Sequence, residues 1–176
     1  MKTDARDSFK ALTRGIGYSW FSEAEEADTA KETLVDLVYR MRYVSMLSQT
    51  AHWFVSGATS KQDHELMKMV YEGLNDMLDS VAERLVGTKE LDASDLTIGE
   101  QAKAVAGLSP SSNSLIAAMH DGKAAAKIML SEIEGIKKVI NSVVESPSIT
   151  DGTRNMLEGH SDELDQMGYH LGQRVK

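Results

Sequence analysis

Four side chains of types that bind metal ions, two imidazoles and two carboxylates, lie within one short stretch of the chain: His52, His64, Asp79 and Glu83. Imidazole nitrogen and carboxylate oxygen are ligands that ferrous iron accepts. The sequence has no cysteine, so a metal site would have to be built from these two residue types. This stretch is therefore the candidate for chemistry, and its usefulness depends on how helices place the four side chains.

A helix break separates the two histidines. Gly57 and the small residues after it predict the end of one helix and the start of another, with Ser60 as the N-cap and Asp63 in the first turn. His52 is therefore expected near the end of one helix and His64 at the beginning of the next.

The two carboxylates are too far along the second helix to meet the histidines of the same chain. Asp79 and Glu83 share a helix face, but Asp79 lies 15 residues beyond His64, or roughly 22 Å at about 1.5 Å per residue. If two copies of this helix cross antiparallel near residues 71–73, the histidine end of each meets the carboxylate end of the other. A twofold dimer would then hold two identical sites.

The order and spacing of these residues resemble the Dps family of mini-ferritins. The resemblance rests on His52 and Trp53 before Gly57, on His64, and on the run Asp79-Ser80-Val81-Ala82-Glu83-Arg84. It extends more loosely from Thr29 to Leu171. The resemblance implies an all-α, ferritin-like four-helix bundle with one long crossover that contains a short helix. It also implies assembly into a hollow dodecamer with ferroxidase sites at the dimer interfaces.

The resemblance also implies a role for each ligand. The tighter iron would be held by His52 of one chain with Asp79 and Glu83 of its partner. The weaker iron would depend on His64 and an aspartate one turn later, where this chain has Lys68. An ammonium 4 Å from a second cation costs about 4 kcal/mol at an effective dielectric of 20, enough to empty a weak site.

Several outcomes at Lys68 stay open. The ammonium could swing away, pair with Glu72 on the same helix face, or bridge to Asp79 and Glu83 of the partner chain.

The first hypothesis for the function is therefore an iron-binding protein that oxidises ferrous iron with peroxide or oxygen and stores it. The alternative is a shell or DNA-interacting protein whose ferroxidase centre is impaired. Trp53 fits a core or interface residue better than a redox-active one, although in the family the equivalent tryptophan is thought to intercept oxidising radicals.

Apolar periodicity predicts four long helices over residues 29–176, preceded by an N-terminal arm over residues 1–28. The first helix is expected from Thr29, by a capping box with Glu32, to about Ser56, and the second ends by Gly87. The third begins among residues 111–113, and the fourth follows Pro147 with Thr150 or Asp151 as its cap. The crossover helix is expected at residues 97–106. The predicted buried positions are Leu34, Leu37, Val38, Met41, Val44 and Ser48; Leu66, Met69, Val70, Met77, Val81 and Leu85; Ile116, Met119, Ala126, Met129, Ile133, Ile140 and Val144; and Leu157, His160, Leu164, Met167 and Leu171.

Charge narrows the possible partners. The net charge of −8 works against tight DNA binding by the body of the protein. The exception is the arm, where weak DNA contacts could come from four basic residues, Lys2, Arg6, Lys10 and Arg14. No secretion leader or membrane-spanning run is recognisable, so a cytoplasmic location is expected. The position of His160 on the apolar stripe of the fourth helix favours a hydrogen-bonded core histidine over a metal ligand.

Overall fold

The computed structural model describes residues 18–108 and 117–176, with side chains described from residue 29 onward. The described residues include five α-helices: α1 (Tyr18–Phe54), α2 (Ser60–Gly87), α3 (Ile98–Leu108), α4 (Gly122–Val144) and α5 (Asp151–Val175). A 3₁₀ turn, Ala93–Leu96, precedes α3. Within the described ranges, no helix combines the length and apolarity needed to cross a bilayer.

The four long helices form the predicted bundle. α1 packs along α2 and α4 along α5, and the two pairs are joined by contacts of α1 with α4 and of α2 with α5. Short links connect α1 to α2 and α4 to α5, whereas the connection from α2 to α4 is long and carries the 3₁₀ turn and α3, which packs on α1. This is the ferritin-like plan with one crossover. The predicted fold class is confirmed.

The core lies between the four helices and follows most of the predicted stripes. Every predicted position of the first helix is buried, and so are the apolar positions of the fourth. In α2 the buried face differs slightly from the predicted one. Leu66 and Met69 are only half-buried, whereas Met67, Leu74 and Leu78, which were not predicted, are fully buried. In the third stripe Met119, Ala126, Met129, Ile133 and Ile140 are buried, Val144 is half-buried, and Ile116 lies outside the described residues.

Helix starts were predicted less well than the stripes. α1 begins at Tyr18, so the capping box at Thr29 is wrong, and Thr29 instead accepts a bond from the Thr33 hydroxyl within the helix. The N-cap of α2 is Thr59 rather than Ser60. α3 lies close to its predicted range. At α5 the Thr150 hydroxyl accepts the Thr153 N–H, which makes Thr150 the cap.

The third long helix is interrupted where continuity was predicted. A turn at His120 separates helical residues 117–119 from α4, and the Asp121 carboxylate caps α4 by accepting the N–H groups of Lys123 and Ala124. The predicted start at residues 111–113 lies outside the described residues, as does Pro110. Residues 1–17, with the four basic residues of the arm, and the side chains of residues 18–28 also lie outside them, so the arm stays a prediction.

Candidate metal centre

The two candidate histidines meet at the corner between α1 and α2. Gly57 adopts a φ of +99°, which favours glycine and lets the chain reverse, so that the first turn of α2 lies beside the last turn of α1. The imidazole rings of His52 and His64 stack with their centroids 3.5 Å apart and their planes 28° apart. The sequence placed each histidine at a helix end, and the structure brings the two rings into direct contact.

Each histidine ring is oriented by the backbone of the other. Nδ1 of His52 lies 2.9 Å from the His64 carbonyl oxygen, and Nδ1 of His64 lies 2.8 Å from the His52 carbonyl oxygen. A carbonyl oxygen can only accept, so both Nδ1 atoms carry a proton, and Nε2 is the nitrogen of each ring that is left for a metal ion. We call this reciprocal pair the histidine clamp. Metal-binding histidines commonly have such an orienting bond on the second ring nitrogen.

The two candidate carboxylates lie on the exposed face of α2, more than four turns beyond His64. Asp79 and Glu83 are both exposed. Among the described residues, neither carboxylate has a hydrogen-bond or ion-pair partner. Asp79 also lines an open groove of about 440 Å³ between α1, α2 and the crossover, together with Arg42 and Asp76. The carboxylates are therefore available to a group that approaches from outside the chain.

Lys68 lies one helical turn beyond His64 on α2. Its side chain is half-exposed, and its ammonium lies 3.9 Å from the Glu72 carboxylate, the upper limit of an ion pair. An exposed pair of this kind in a helix stabilises by only about 0.3–0.5 kcal/mol. The contact is one of the outcomes anticipated for Lys68, and it is weak enough for the ammonium to move toward another carboxylate.

Aromatic side chains surround the histidine clamp. The Tyr71 ring meets His52 edge-on with centroids 5.2 Å apart. Tyr71 lies two turns after His64 on the same helix face, a spacing that could have identified it in the sequence. Trp53, next to His52, is 66% exposed, which excludes a core role within this chain. Its exposed ring fits the predicted interface role.

An ion pair lies at the first turn of α2, directly before His64 in the sequence. The Asp63 carboxylate is completely buried and accepts hydrogen bonds from the Arg174 guanidinium and, at 2.8 Å, from the Thr59 hydroxyl. Burial is the largest influence on the pKa of Asp63 and raises it, but the bonds from Arg174 and Thr59 outweigh burial and hold the pKa below its usual value. Sequence reasoning did not find this pair. Asp63 is four residues before buried Met67, and this helical spacing was the available signal.

The other histidines do not join the clamp. His160 is half-buried on α5, and its Nε2 lies 2.9 Å from the Ser80 hydroxyl, as expected of a core histidine. His120 is exposed, and its carbonyl oxygen accepts both the N–H and the hydroxyl of Ser56. This contact ties the corner to the turn before α4. Within residues 29–108 and 117–176, whose side chains the structure describes, no three histidine or acidic side chains are close enough to hold a metal ion in one chain.

No protein-family model matches this sequence, and neither does any curated protein. Solved structures do match in fold. The Dps of Vibrio cholerae O1, described as a member of a broad superfamily of ferritin-like diiron-carboxylate proteins, superposes with a TM-score of 0.71 at 16% identity. The match covers 86% of this chain and 92% of that one.

Two further Dps structures agree. The Dps of Microbacterium arborescens in its high-iron form matches with a TM-score of 0.66 at 20% identity, covering 84% of this chain and 92% of that chain. A point mutant of Mycobacterium smegmatis Dps1 matches with a TM-score of 0.67 at 18% identity, covering 86% of this chain and 98% of that chain. The fold of this chain is therefore that of the Dps proteins, and the resemblance read from the sequence is confirmed at the level of the fold.

Proposed function

We propose that this chain is a Dps-like iron protein that binds ferrous iron at sites shared between two subunits, oxidises it, and stores ferric iron inside a hollow homo-oligomeric shell in the cytoplasm. The observation that carries the proposal is the histidine clamp. At one end of α2, the clamp orients two imidazole nitrogens that have no carboxylate beside them to complete a metal site. Toward the other end, the exposed carboxylates of Asp79 and Glu83 bond to no described residue. An antiparallel partner supplies to each end what it lacks.

Exposed apolar side chains support a partner at this face. Trp53 and Phe54 beside the clamp are 66% and 40% exposed, and Met46, two turns earlier on α1, is 50% exposed. In the crossover helix α3 no residue is fully buried, and Ile98 is 87% exposed. Large apolar side chains that are exposed close to one another are typical of protein interfaces. By resemblance, the assembly built from such dimers is a dodecamer.

The chemistry follows from the donor set. Iron is the substrate, and His52 of one chain with Asp79 and Glu83 of the other would hold one ferrous ion through nitrogen and carboxylate oxygen. Two ferrous ions together supply the two electrons that reduce one hydrogen peroxide to two waters, with uptake of two protons. Trp53 beside His52 would intercept oxidising radicals that escape. A second ion would need His64 and the space one turn later, where Lys68 carries a positive charge.

A second candidate function follows from Lys68. Its ammonium is held only weakly by Glu72 and lies one turn from His64, so in a dimer it could reach the partner's acidic pair instead of a metal ion. The protein would then keep the shell and the interface without productive iron chemistry. Iron loading under air, followed by ultraviolet absorbance of ferric iron, separates the two functions, because the second predicts no rapid oxidation.

Subunit mixing tests the shared site. One variant carries His52→Ala and His64→Ala, and the other carries Asp79→Asn and Glu83→Gln. Each variant alone should bind no iron at the site. After co-assembly of equal amounts, half of the dimers are mixed, and each mixed dimer regains one of its two sites. Iron binding should therefore recover to about a quarter of the unmodified level.

The matched control for mixing uses a carboxylate elsewhere on the surface. Glu158→Gln on α5 changes an exposed acid of the same kind and should leave binding unchanged. Absence of recovery after mixing, although both variants assemble, would contradict a site built from two chains. Full iron binding by either variant alone would contradict the assignment of the ligands.

A further inference from the structure

The ion pair between Asp63 and Arg174 joins three parts of the fold that are distant in sequence. Asp63 belongs to the first turn of α2, and Arg174 to the last turn of α5, 111 residues away. Arg174 donates to Asp63 with its Nε and, at 3.2 Å, with its second amino group, which also lies 3.0 Å from the Thr59 hydroxyl. The guanidinium therefore binds the helix start and its N-cap residue together.

The start of α4 closes the third side of this carboxylate. A Cβ atom on Gly122 would overlap the Asp63 carboxylate, so the backbone of α4 approaches the carboxylate as closely as only glycine permits. The negative charge of Asp121, which caps α4, also stabilises the positively charged guanidinium of Arg174. Asp63 is thus fixed by α5, by α4 and by the α1–α2 corner, and the first turn of α2 has little freedom to shift.

The clamp depends on the position of that first turn. His64 follows Asp63 directly, and the two clamp bonds use the carbonyl oxygens of His64 and His52 as acceptors. A shift of the His64 peptide by a few tenths of an ångström therefore changes both bonds, and with them the direction of both Nε2 atoms. The ion pair and the two ring orientations are parts of one connected unit.

We infer that Asp63 and Arg174 are positioning residues for the proposed metal site: through the first turn of α2 they hold His52 and His64 in the clamp, so that the end of α5 sets metal affinity at the corner. The inference rests on the proposed function for the identity of the ligands. Partners that orient metal-binding histidines typically contribute 10- to 100-fold to metal affinity.

The test uses two substitutions with different side effects. Asp63→Asn keeps the size of the side chain and removes the charge, and the unpaired Arg174 can be hydrated because it is 28% exposed and borders an open pocket of about 330 Å³. Arg174→Lys keeps both charges but loses the forked geometry of the guanidinium. The matched control is Asp165→Asn, which breaks the ion pair between Lys137 and Asp165 away from the corner.

Two measurements are made on the assembled protein: titration with Co²⁺, followed by its visible absorption, and crystal structures without metal. Asp63→Asn should weaken Co²⁺ binding by about 10- to 100-fold and open at least one clamp bond. Arg174→Lys should give a smaller loss in the same direction, and Asp165→Asn no change. If Asp63→Asn fails to fold, Arg174→Lys decides alone.

The inference is overturned if both variants keep Co²⁺ affinity, or if affinity falls while both clamp bonds stay intact, since the effect would then be electrostatic rather than positional. Failure of the proposed function looks different. In that case the unmodified protein binds no Co²⁺ at the corner, while Asp63→Asn still opens the clamp in the crystal structure.

Discussion

Both ends of α2 are tied to α5 by a carboxylate, but the candidate ligands at one end are oriented by hydrogen bonds and those toward the other end are not. At the start of α2, buried Asp63 binds Arg174 in the last turn of α5. Just beyond the end of α2, Glu90 accepts the Thr153 hydroxyl of the first turn of α5 at 2.7 Å. In both places a carboxylate ties two antiparallel helices together. The helix that carries every candidate ligand except His52 is thus fixed at both ends.

The ligands themselves differ between the two ends. His64 directly follows the fastened turn, His52 lies at the adjoining end of α1, and each ring is oriented before any metal arrives. Asp79 and Glu83 lie on the exposed face of α2 and bond to no described residue. One half of the proposed site is therefore preorganised by the chain itself, and the other half must be ordered by a partner chain or a metal ion. A twofold dimer gives each site one half of each kind.

The largest expected effect comes from changing the charge at the preorganised end. Lys68→Asp replaces the ammonium one turn beyond His64 with a carboxylate, which removes repulsion of about 4 kcal/mol on a second cation at 4 Å. Each site should then take up two irons instead of one, and the initial rate of iron oxidation should rise. Iron stoichiometry and stopped-flow absorbance measure the two effects.

The control for this charge change is Lys138→Asp, at an exposed lysine on α4, which should alter neither quantity. The explanation fails if the unmodified protein already binds two irons per site and oxidises them rapidly. It also fails if Lys68→Asp changes neither stoichiometry nor rate.

A smaller effect is expected from two glycines of α4. At Gly122 a Cβ would collide with the fixed Asp63 carboxylate, whereas at Gly135 it would meet nothing within 4 Å. Gly122→Ala should therefore lower the free energy of unfolding by about 1–3 kcal/mol, the usual cost of overpacking. Gly135→Ala should raise it by about 0.8–1 kcal/mol through helix propensity.

Denaturant midpoints at one fixed protein concentration compare these two substitutions, because assembly makes apparent stability depend on concentration. Equal effects of the two alanines would show that the start of α4 is not closely packed on Asp63. The corner would then be less rigid than the structure shows.

Most of the fold could be predicted because the information for it is local. An apolar periodicity of about 3.6 residues predicted the four long helices, and Gly57 and Pro147 predicted where two pairs of them separate. Helix starts were harder. Thr29 and Glu32 have the types of a capping box but lie inside α1, because a helix start depends on whether the preceding residues can also be helical, and residues 18–28 can.

The candidate site, too, could be predicted only where the information for it is local. The spacing of His52, His64, Asp79 and Glu83 could be read from the sequence, and the separation of the histidines from the carboxylates follows from helix rise alone. The clamp could not be predicted, because it depends on the angle between two helices at the corner. The partner of Asp63 could not be found either, since Arg174 is 111 residues away and only the packing of α5 brings it there.

A further effect, on stability alone, is expected at the far end of α2. Glu90 accepts the hydroxyls of Thr88 and Thr153 and the N–H of Thr150. Burial is the largest influence on the pKa of Glu90 and raises it, but these three bonds outweigh burial, so the pKa lies below its usual value of 4.5. A lowered pKa means that the carboxylate stabilises the fold above about pH 4.5, and that this contribution is lost as the pH falls through the folded-state pKa.

Glu90→Gln should therefore lower the free energy of unfolding by about 1.5 kcal/mol at pH 7, because the amide offers one fewer oxygen and a donor that faces other donors. The difference from the unmodified protein should shrink as the pH falls below about 4.5, because Glu90 becomes protonated first in the unfolded chain and then, at its lowered pKa, in the folded protein. Denaturation at a series of pH values measures it, with exposed Glu158→Gln as the control that should show little difference at any pH. Metal affinity at the corner should stay the same, because this end of α2 fastens the helix without touching the histidine clamp. A pH-independent difference would contradict the stabilising role of the Glu90 carboxylate, and a loss of metal affinity as large as that of Asp63→Asn would show that the two ends of α2 do not act separately.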